Sequence, residues 1–249
     1  MSSFMTFPGD AGADPLDYGG VCEGWCHCFR EPGRFLPPER PRVLLSYSDF
    51  TDPTVIAKDR LGPDAVDSPR FDFIYVGANQ SWKMETKNWS LANRCLSRLS
   101  GELGLRGLVI GVSADAIDAV RGLTFWRWLP YLRFLQVLAR SRFLFVPNEL
   151  DASPRILTEA LCLDVPLLVH RPILGGWKYV QPATGVFFDR EEEVTGAASH
   201  CLNGSFHPRS WYLAHHGPQR AGETLRLLIE ELDPGFQAPG LLGLAYEFN

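Results

Sequence analysis

No apolar run in this chain of 249 residues approaches the roughly 20 residues that a membrane-crossing helix needs. The first residues, MSSFMTFPGDAG, lack the basic-then-apolar order of a secretory signal. A cytoplasmic protein with no transmembrane segment is therefore expected. No G-x-G-x-x-G fingerprint follows any apolar run, which argues against a dinucleotide enzyme. Excess basic charge is missing too: 24 Lys and Arg stand against 29 Asp and Glu, a net charge of −5. Affinity for a phosphate backbone needs clustered cations, so no nucleic-acid partner is expected. Cysteine is present without the order that metal binding requires. Cys22, Cys26 and Cys28 surround His27, but the spacing matches no common finger and no second Cys or His half follows. No metal site is expected. Cys95, Cys162 and Cys201 fall inside helical patterns and read as small core residues.

What the chain does have is apolar surface to bury. Hydrophobic residues make up 45% of it and aromatics 12%, enough for one large core. Residues 1–70 are rich in Gly, Pro and Asp and show no sustained period. They read as an irregular extension and linker with one short strand around Val43 to Leu45, and the GWCHCF stretch argues that part of it docks somewhere. From Phe71 the pattern turns regular. FDFIYV is a strand ending at Gly77; Trp89, Ala92, Cys95, Leu96, Leu99 and Leu103 recur at helical spacing, with Gly104 as a stop. LVIGV, residues 108–112, is the next strand. A loop is expected after it, then a packed helix from about Leu129, although the arginine-aromatic mixture of WRWLPYLRF also resembles a membrane-surface helix. GVFFD is a late strand, and three helices are expected over Glu191 to Leu202, Arg209 to His216 and Arg220 to Leu232. Alternating strands and helices predict an α/β, doubly wound, Rossmann-like parallel sheet over residues 71–249.

The centre of this pattern is RFLFVPNELDASPRILTEALCLDVPLLVHRPILGGWKYV, residues 142–180. It reads as strand, loop, helix, strand and glycine turn. Loops at the C-terminal ends of parallel strands are where doubly wound proteins bind ligands. Ser153 is placed to cap the helix and Pro154 to open it. The amides of Ala152, Ser153 and Arg155 lie at the helix start, where free donors and the helix dipole favour an anion. Pro154 has no N–H and shapes the loop instead. Glu159 follows within two turns, in reach of a hydroxyl on whatever anion the loop holds. The plainer alternative makes Glu159 a solvated residue paired with Arg155.

Asp151-x7-Glu159 resembles the E-x7-E motif of retaining glycosyltransferases of the GT-B fold, the group 1 or family 4 type. Residues 71–232 are similar to the C-terminal, donor-binding half of those enzymes. The resemblance implies that Gly77 ends the first strand, that Lys87, and Lys83 in place of an arginine replaced by Ala78, reach the donor diphosphate, and that Ala152, Ser153, Pro154 and Arg155 form the phosphate loop. It implies a ribose-binding role for Glu159 and a place near the donor sugar for Asp151, one methylene shorter than the usual Glu. Gly175 and Gly176 match the glycine loop after the next strand. Asp164 replaces the family's glycine and can adopt a left-handed turn at some cost. The implied activity is sugar transfer from a nucleotide-diphospho-sugar, used as substrate with no cofactor, to a sugar, lipid or protein acceptor. The 70 residues before Phe71 are too few for an acceptor domain of the usual size. The alternatives are thus a minimal enzyme using its N-terminal extension, a donor-binding subunit completed by a partner chain, and a fragment of a longer polypeptide. A sugar-nucleotide epimerase on the same half-fold is a further reading.

Overall fold

The computed structural model describes residues 18–62, 71–78, 81–113 and 121–236, with only the backbone of residues 81–83. Six strands form the main sheet: β3 (Phe71–Val76), β4 (Gly107–Ile110), β5 (Leu123–Trp126), β6 (Ser141–Val146), β7 (Leu167–His170) and β8 (Gly185–Phe188). Their order is β5-β4-β3-β6-β7-β8 and every pair is parallel. The chain runs outward from β3 to β5, then returns to the other side of β3 to lay down β6. The direction reverses between β3 and β6, and the loops leaving those two strands diverge around a crevice.

Both faces of the sheet are covered, which is why its strands are apolar at nearly every position. Successive side chains point to opposite sides. Phe73, Tyr75, Phe143, Phe145 and Leu168 pack under α3 (Trp89–Gly101) and α6 (Val194–Asn203), through Leu96, Leu99 and Ala198. Ile74, Leu108, Leu144, Leu167 and Val169 face the other way. They meet α4 (Tyr131–Leu138), α5 (Arg155–Cys162) and α7 (Pro208–His215) through Leu135, Leu157, Leu161 and Tyr212. Cys95, Cys162 and Cys201 are buried in these cores, as their helical positions imply. The fold is an α/β, Rossmann-like, doubly wound parallel sheet carrying an extension.

The turns show why particular residues stand where they do. Asp164, between α5 and β7, has φ +56°, and Gly104, after α3, has φ +65°. Leu103 lies beyond the end of α3 and is exposed, so the apolar face of that helix stops at Leu99. The main departure from the sequence reading is β5, which was expected to be loop. It is four residues long and lies at the sheet edge, so it is only half-buried and carries too short a pattern to register. Helix α4 begins at Tyr131 and not at Leu129, because Pro130 keeps an extended ψ of 142° as its N-cap. Leu135, Val137 and Leu138 are buried, which makes α4 a packed helix.

The extension docks where its aromatic and cysteine residues fall. After a single helical turn, α1 (Tyr18–Val21), strand β1 (Trp25–His27) pairs in parallel with β2 (Arg42–Leu44). Trp25 and Cys28 are buried; the Trp177 indole donates to the Cys28 carbonyl (2.9 Å), and Arg30 donates to the Arg171 carbonyl (2.7 Å). A 3-10 turn, Tyr47–Phe50, follows. Leu45 and Phe50 pack with Ala221 of α8 (Pro218–Leu232). No described helix is long and apolar enough to cross a membrane.

Candidate functional site

The crevice at the order reversal collects the loops that follow β3, β6 and β7. After β3, Gly77 donates its N–H to the Ile110 carbonyl (2.9 Å), and a Cβ there would collide with Val112. Glycine lets the chain leave the strand against β4. Helix α2 (Ser81–Thr86) comes next, then Lys87 and Asn88, then α3. Asn88 takes a left-handed conformation (φ +50°), turning Lys87 toward the β6 loop. The Lys87 ammonium lies 2.9 Å from Asp151 Oδ2. The side chain of Lys83 lies outside the described residues.

After β6, Pro147 and Asn148 are buried, and the loop 148–154 runs to α5. Asn148 Nδ2 donates to Asp151 Oδ2 (2.8 Å), so that one carboxylate oxygen takes both the amide and the ammonium. Glycine placement then locks this loop to the one after β7. Gly175 donates to the Asp151 carbonyl (2.9 Å) and Leu174 to that of Glu149 (2.8 Å). A Cβ on Gly175 would overlap the Ala152 carbonyl, so only glycine allows this approach. Gly176 has φ +77°, and a Cβ there would strike Pro154 and Leu157. The two loops form one rigid wall.

Ser153 does not cap α5. Its hydroxyl accepts from the Ser48 N–H (3.0 Å) and lies 2.8 Å from the Ser48 hydroxyl, and Pro154 occupies the N-cap position without a side-chain cap. The expected cap is thus replaced by a contact with the extension, reinforced by Thr51 to Thr158 (2.7 Å) and by Arg155 over the Tyr47 ring. Among the described residues nothing accepts from the amides of Ala152 and Ser153. They stand at the start of α5 beside Lys87 and Asp151.

Glu159 is not solvated. It lies on the second turn of α5 at 5% exposure, and its Oε1 accepts from the Tyr131 hydroxyl (2.8 Å) at the start of α4. Burial pushes its carboxyl above the usual range, and the Tyr131 hydrogen bond and the Arg155 charge offset only part of that. A desolvated carboxylate with one neutral donor retains acceptor capacity that a hydroxyl can fill. His170 ends β7 with Nε2 3.2 Å from the Asp189 carbonyl, and burial lowers its pKa. Burial also raises the thiols of Cys26 and Cys28, the latter to about 11, which leaves them poor nucleophiles. Among the described residues no group of three or more His, Cys, Asp or Glu is arranged to hold a metal ion.

Several members of this site had no sequence signal. Tyr131, Asn148 and Ser48 each partner an expected residue, but Tyr131 and Ser48 come from segments far away in the chain. Asn148, three residues before Asp151, was within local reach, and an Asn beside an acidic turn is the one signal that was legible.

No protein-family model and no curated protein sequence matches this chain. Solved structures do match in fold. A glycosyltransferase involved in avilamycin A biosynthesis superimposes with a TM-score of 0.61 at 13% identity, over 85% of this chain and 64% of its own. Sucrose-phosphate synthase from Thermosynechococcus elongatus gives 0.59 at 12% identity, over 91% and 64%. A lipopolysaccharide outer core galactosyltransferase gives 0.55 at 14%, over 73% and 54%. The fold is therefore GT-B-like, of the kind found in several sugar transferases. The chain spans at most 64% of the length of each of these structures.

Proposed function

We propose that this protein binds a nucleotide-diphospho-sugar in the crevice between β3 and β6 and takes part in transfer of the sugar to an acceptor, with retention and without a metal. The observation that carries the reading is the meeting of Lys87, Asp151 and the uncommitted start of α5 at the order reversal, with buried Glu159 behind them. In this reading Lys87 and the Ala152 and Ser153 amides neutralise the diphosphate and stabilise it as a leaving group. Gly77, Gly175 and Gly176 let backbone come close enough to form the wall, and Pro154 and Arg155 shape its rim. Glu159 accepts from the ribose hydroxyls. Asp151 faces the donor sugar. The donor-binding unit is residues 71–249, with residues 1–70 attached to it, and the cytoplasm is the compartment where such donors are supplied.

A second reading is carried by Ala78 and Asp151, which stand where the resembled family has an arginine and a glutamate. In it the chain is a donor-binding subunit whose acceptor site comes from a partner chain. Calorimetric titration with UDP, GDP and their hexose conjugates tests the first step common to both. Saturable binding is expected, weakened at least tenfold by Glu159→Gln; absence of binding to every nucleotide would overturn both. Transfer of the sugar to an acceptor by the isolated chain would then exclude the subunit reading.

A further inference from the structure

The cation assigned above to the diphosphate already has a partner. Lys87 and Asp151 are in direct contact at 2.9 Å, with side chains 25% and 13% exposed. The same loops meet at two weaker points, where Asn88 Nδ2 faces Glu149 Oε2 (3.4 Å) and the Glu149 amide faces the Thr86 carbonyl (3.4 Å). The connection after β3 is thereby latched to the connection after β6, across the mouth of the crevice. Both strong contacts converge on Asp151 Oδ2, and no described residue donates to its Oδ1.

A bound diphosphate brings at least two negative charges to this place. It cannot share Lys87 with a carboxylate on equal terms, because the two anions repel each other in the same half-buried space. We infer that Asp151 is the resting counter-ion of Lys87, that the diphosphate of the ligand displaces it, and that this exchange selects sugar conjugate over bare nucleotide. The inference rests on the reading of the crevice as a nucleotide-diphospho-sugar site. A bare diphosphate takes the ammonium and leaves the Asp151 carboxylate facing it with the Asn148 amide as its one remaining donor among the described residues and no countercharge. A sugar conjugate supplies hydroxyl donors to the released carboxylate and restores its hydrogen bonds. Once the sugar has left, Asp151 competes for Lys87 again and helps to expel the nucleoside diphosphate. Asp151 is in this sense a specificity-determining residue that acts on the spent product.

The exchange makes a prediction whose sign is opposite to that of a simple ligand-binding acid. In calorimetric titrations of the full chain, Asp151→Asn tightens binding of inorganic pyrophosphate, UDP and GDP by about three- to tenfold, the range set by freeing a partly exposed paired cation. The same variant narrows the preference for hexose conjugates over bare nucleotides. Glu149→Gln removes a charge from the same loop without freeing Lys87, and it changes pyrophosphate affinity less than twofold. Adding Lys87→Met to Asp151→Asn abolishes the gain.

Unchanged or weaker pyrophosphate binding by Asp151→Asn overturns the inference. So does an equal gain from Glu149→Gln, a gain that survives loss of Lys87, or no pyrophosphate binding by either wild type or Asp151→Asn. Failure of the underlying reading looks different: pyrophosphate shows the counter-ion effect, but no nucleoside diphosphate binds more tightly than pyrophosphate and Glu159→Gln changes nothing.

Discussion

Two carboxylate-lysine pairs stand on either side of the loop after β7, and they are built to different specifications. Asp49 is 4% exposed and has every acceptor position filled. Lys178 lies at 2.6 Å from one oxygen, the Tyr179 hydroxyl donates to the other at 2.8 Å, His216 stands 3.4 Å away, and the Ser46 amide donates at 2.7 Å. Burial alone would raise the Asp49 carboxyl, but the His216 contact, the Lys178 charge and the Ser46 amide outweigh it and hold the pKa down to about 2. Asp151 has one oxygen shared by two donors, and no described residue donates to the other. A saturated carboxylate fixes structure, whereas an unsaturated one beside a free helix start is available for exchange. The same two residue types thus serve as a fastener in one place and as an exchangeable pair in the other.

The sharpest break of this contrast is Asp49→Asn. It leaves the largely buried Lys178 ammonium without its countercharge, with the Leu44 carbonyl at 3.3 Å, and leaves the Tyr179 hydroxyl and Ser46 amide with a poorer acceptor. A loss of about 3 kcal/mol is expected in urea unfolding at pH 7, in the range for breaking a buried pair. The sign with pH follows from the depressed carboxyl. Its stabilising contribution is present above the unfolded value near 4 and is lost as pH falls through about 2. The gap between wild type and variant therefore closes between pH 4 and pH 2. A gap that stays constant across that window would mean that the charge of Asp49 is not what fastens the extension.

Glu159 gives a smaller effect of opposite sign. Its carboxyl is raised, so the folded state favours the protonated form; that preference supports the fold at low pH and is lost as pH rises through the folded value. Glu159→Gln keeps an acceptor for the Tyr131 hydroxyl and removes a desolvated charge. It is expected to gain about 1 kcal/mol at pH 7 and less at pH 4, by thermal or urea unfolding, while nucleotide binding falls. A loss of stability at pH 7 would place Glu159 with Asp49 among the fasteners. The smallest effect belongs to Lys87→Met, whose pair is partly exposed: roughly 0.5 kcal/mol of unfolding free energy, against a large loss of diphosphate binding. A stability loss near that of Asp49→Asn would erase the distinction between the two pairs.

Much of the scaffold was legible because it is local. β3, β6 and β7 are short apolar runs followed by Gly77, Pro147 and the turn with Gly175 and Gly176, and Asp164, where the resembled family has a glycine, does take a left-handed turn. β5 was hidden because LTFW is short and lies at an edge, half-buried, so no alternation marks it. In the site, Lys87, Asp151 and Glu159 were suggested by the family resemblance, Lys87 apart from the acidic motif, and it did not carry their surroundings. Whether Glu159 is solvated depends on Tyr131, and whether Ser153 caps a helix depends on Ser48. Those partners are brought in by tertiary packing, which overrode a sound local preference for Ser153 as a cap. The extension was the least legible part, since neither period nor motif says that GWCHCF packs on Trp177.

The stretch from Gly175 to Tyr179 touches two clients within five residues. Gly175 and Gly176 shape the crevice wall through Ala152 and Pro154, while Trp177, Lys178 and Tyr179 hold the extension through Cys28 and Asp49. Removing residues 1–70 would strip an indole of its acceptor and two polar groups of their carboxylate, directly beside the glycines that set the wall. Damage to the extension would then surface as a ligand-binding defect, although no residue before Phe71 need touch the ligand.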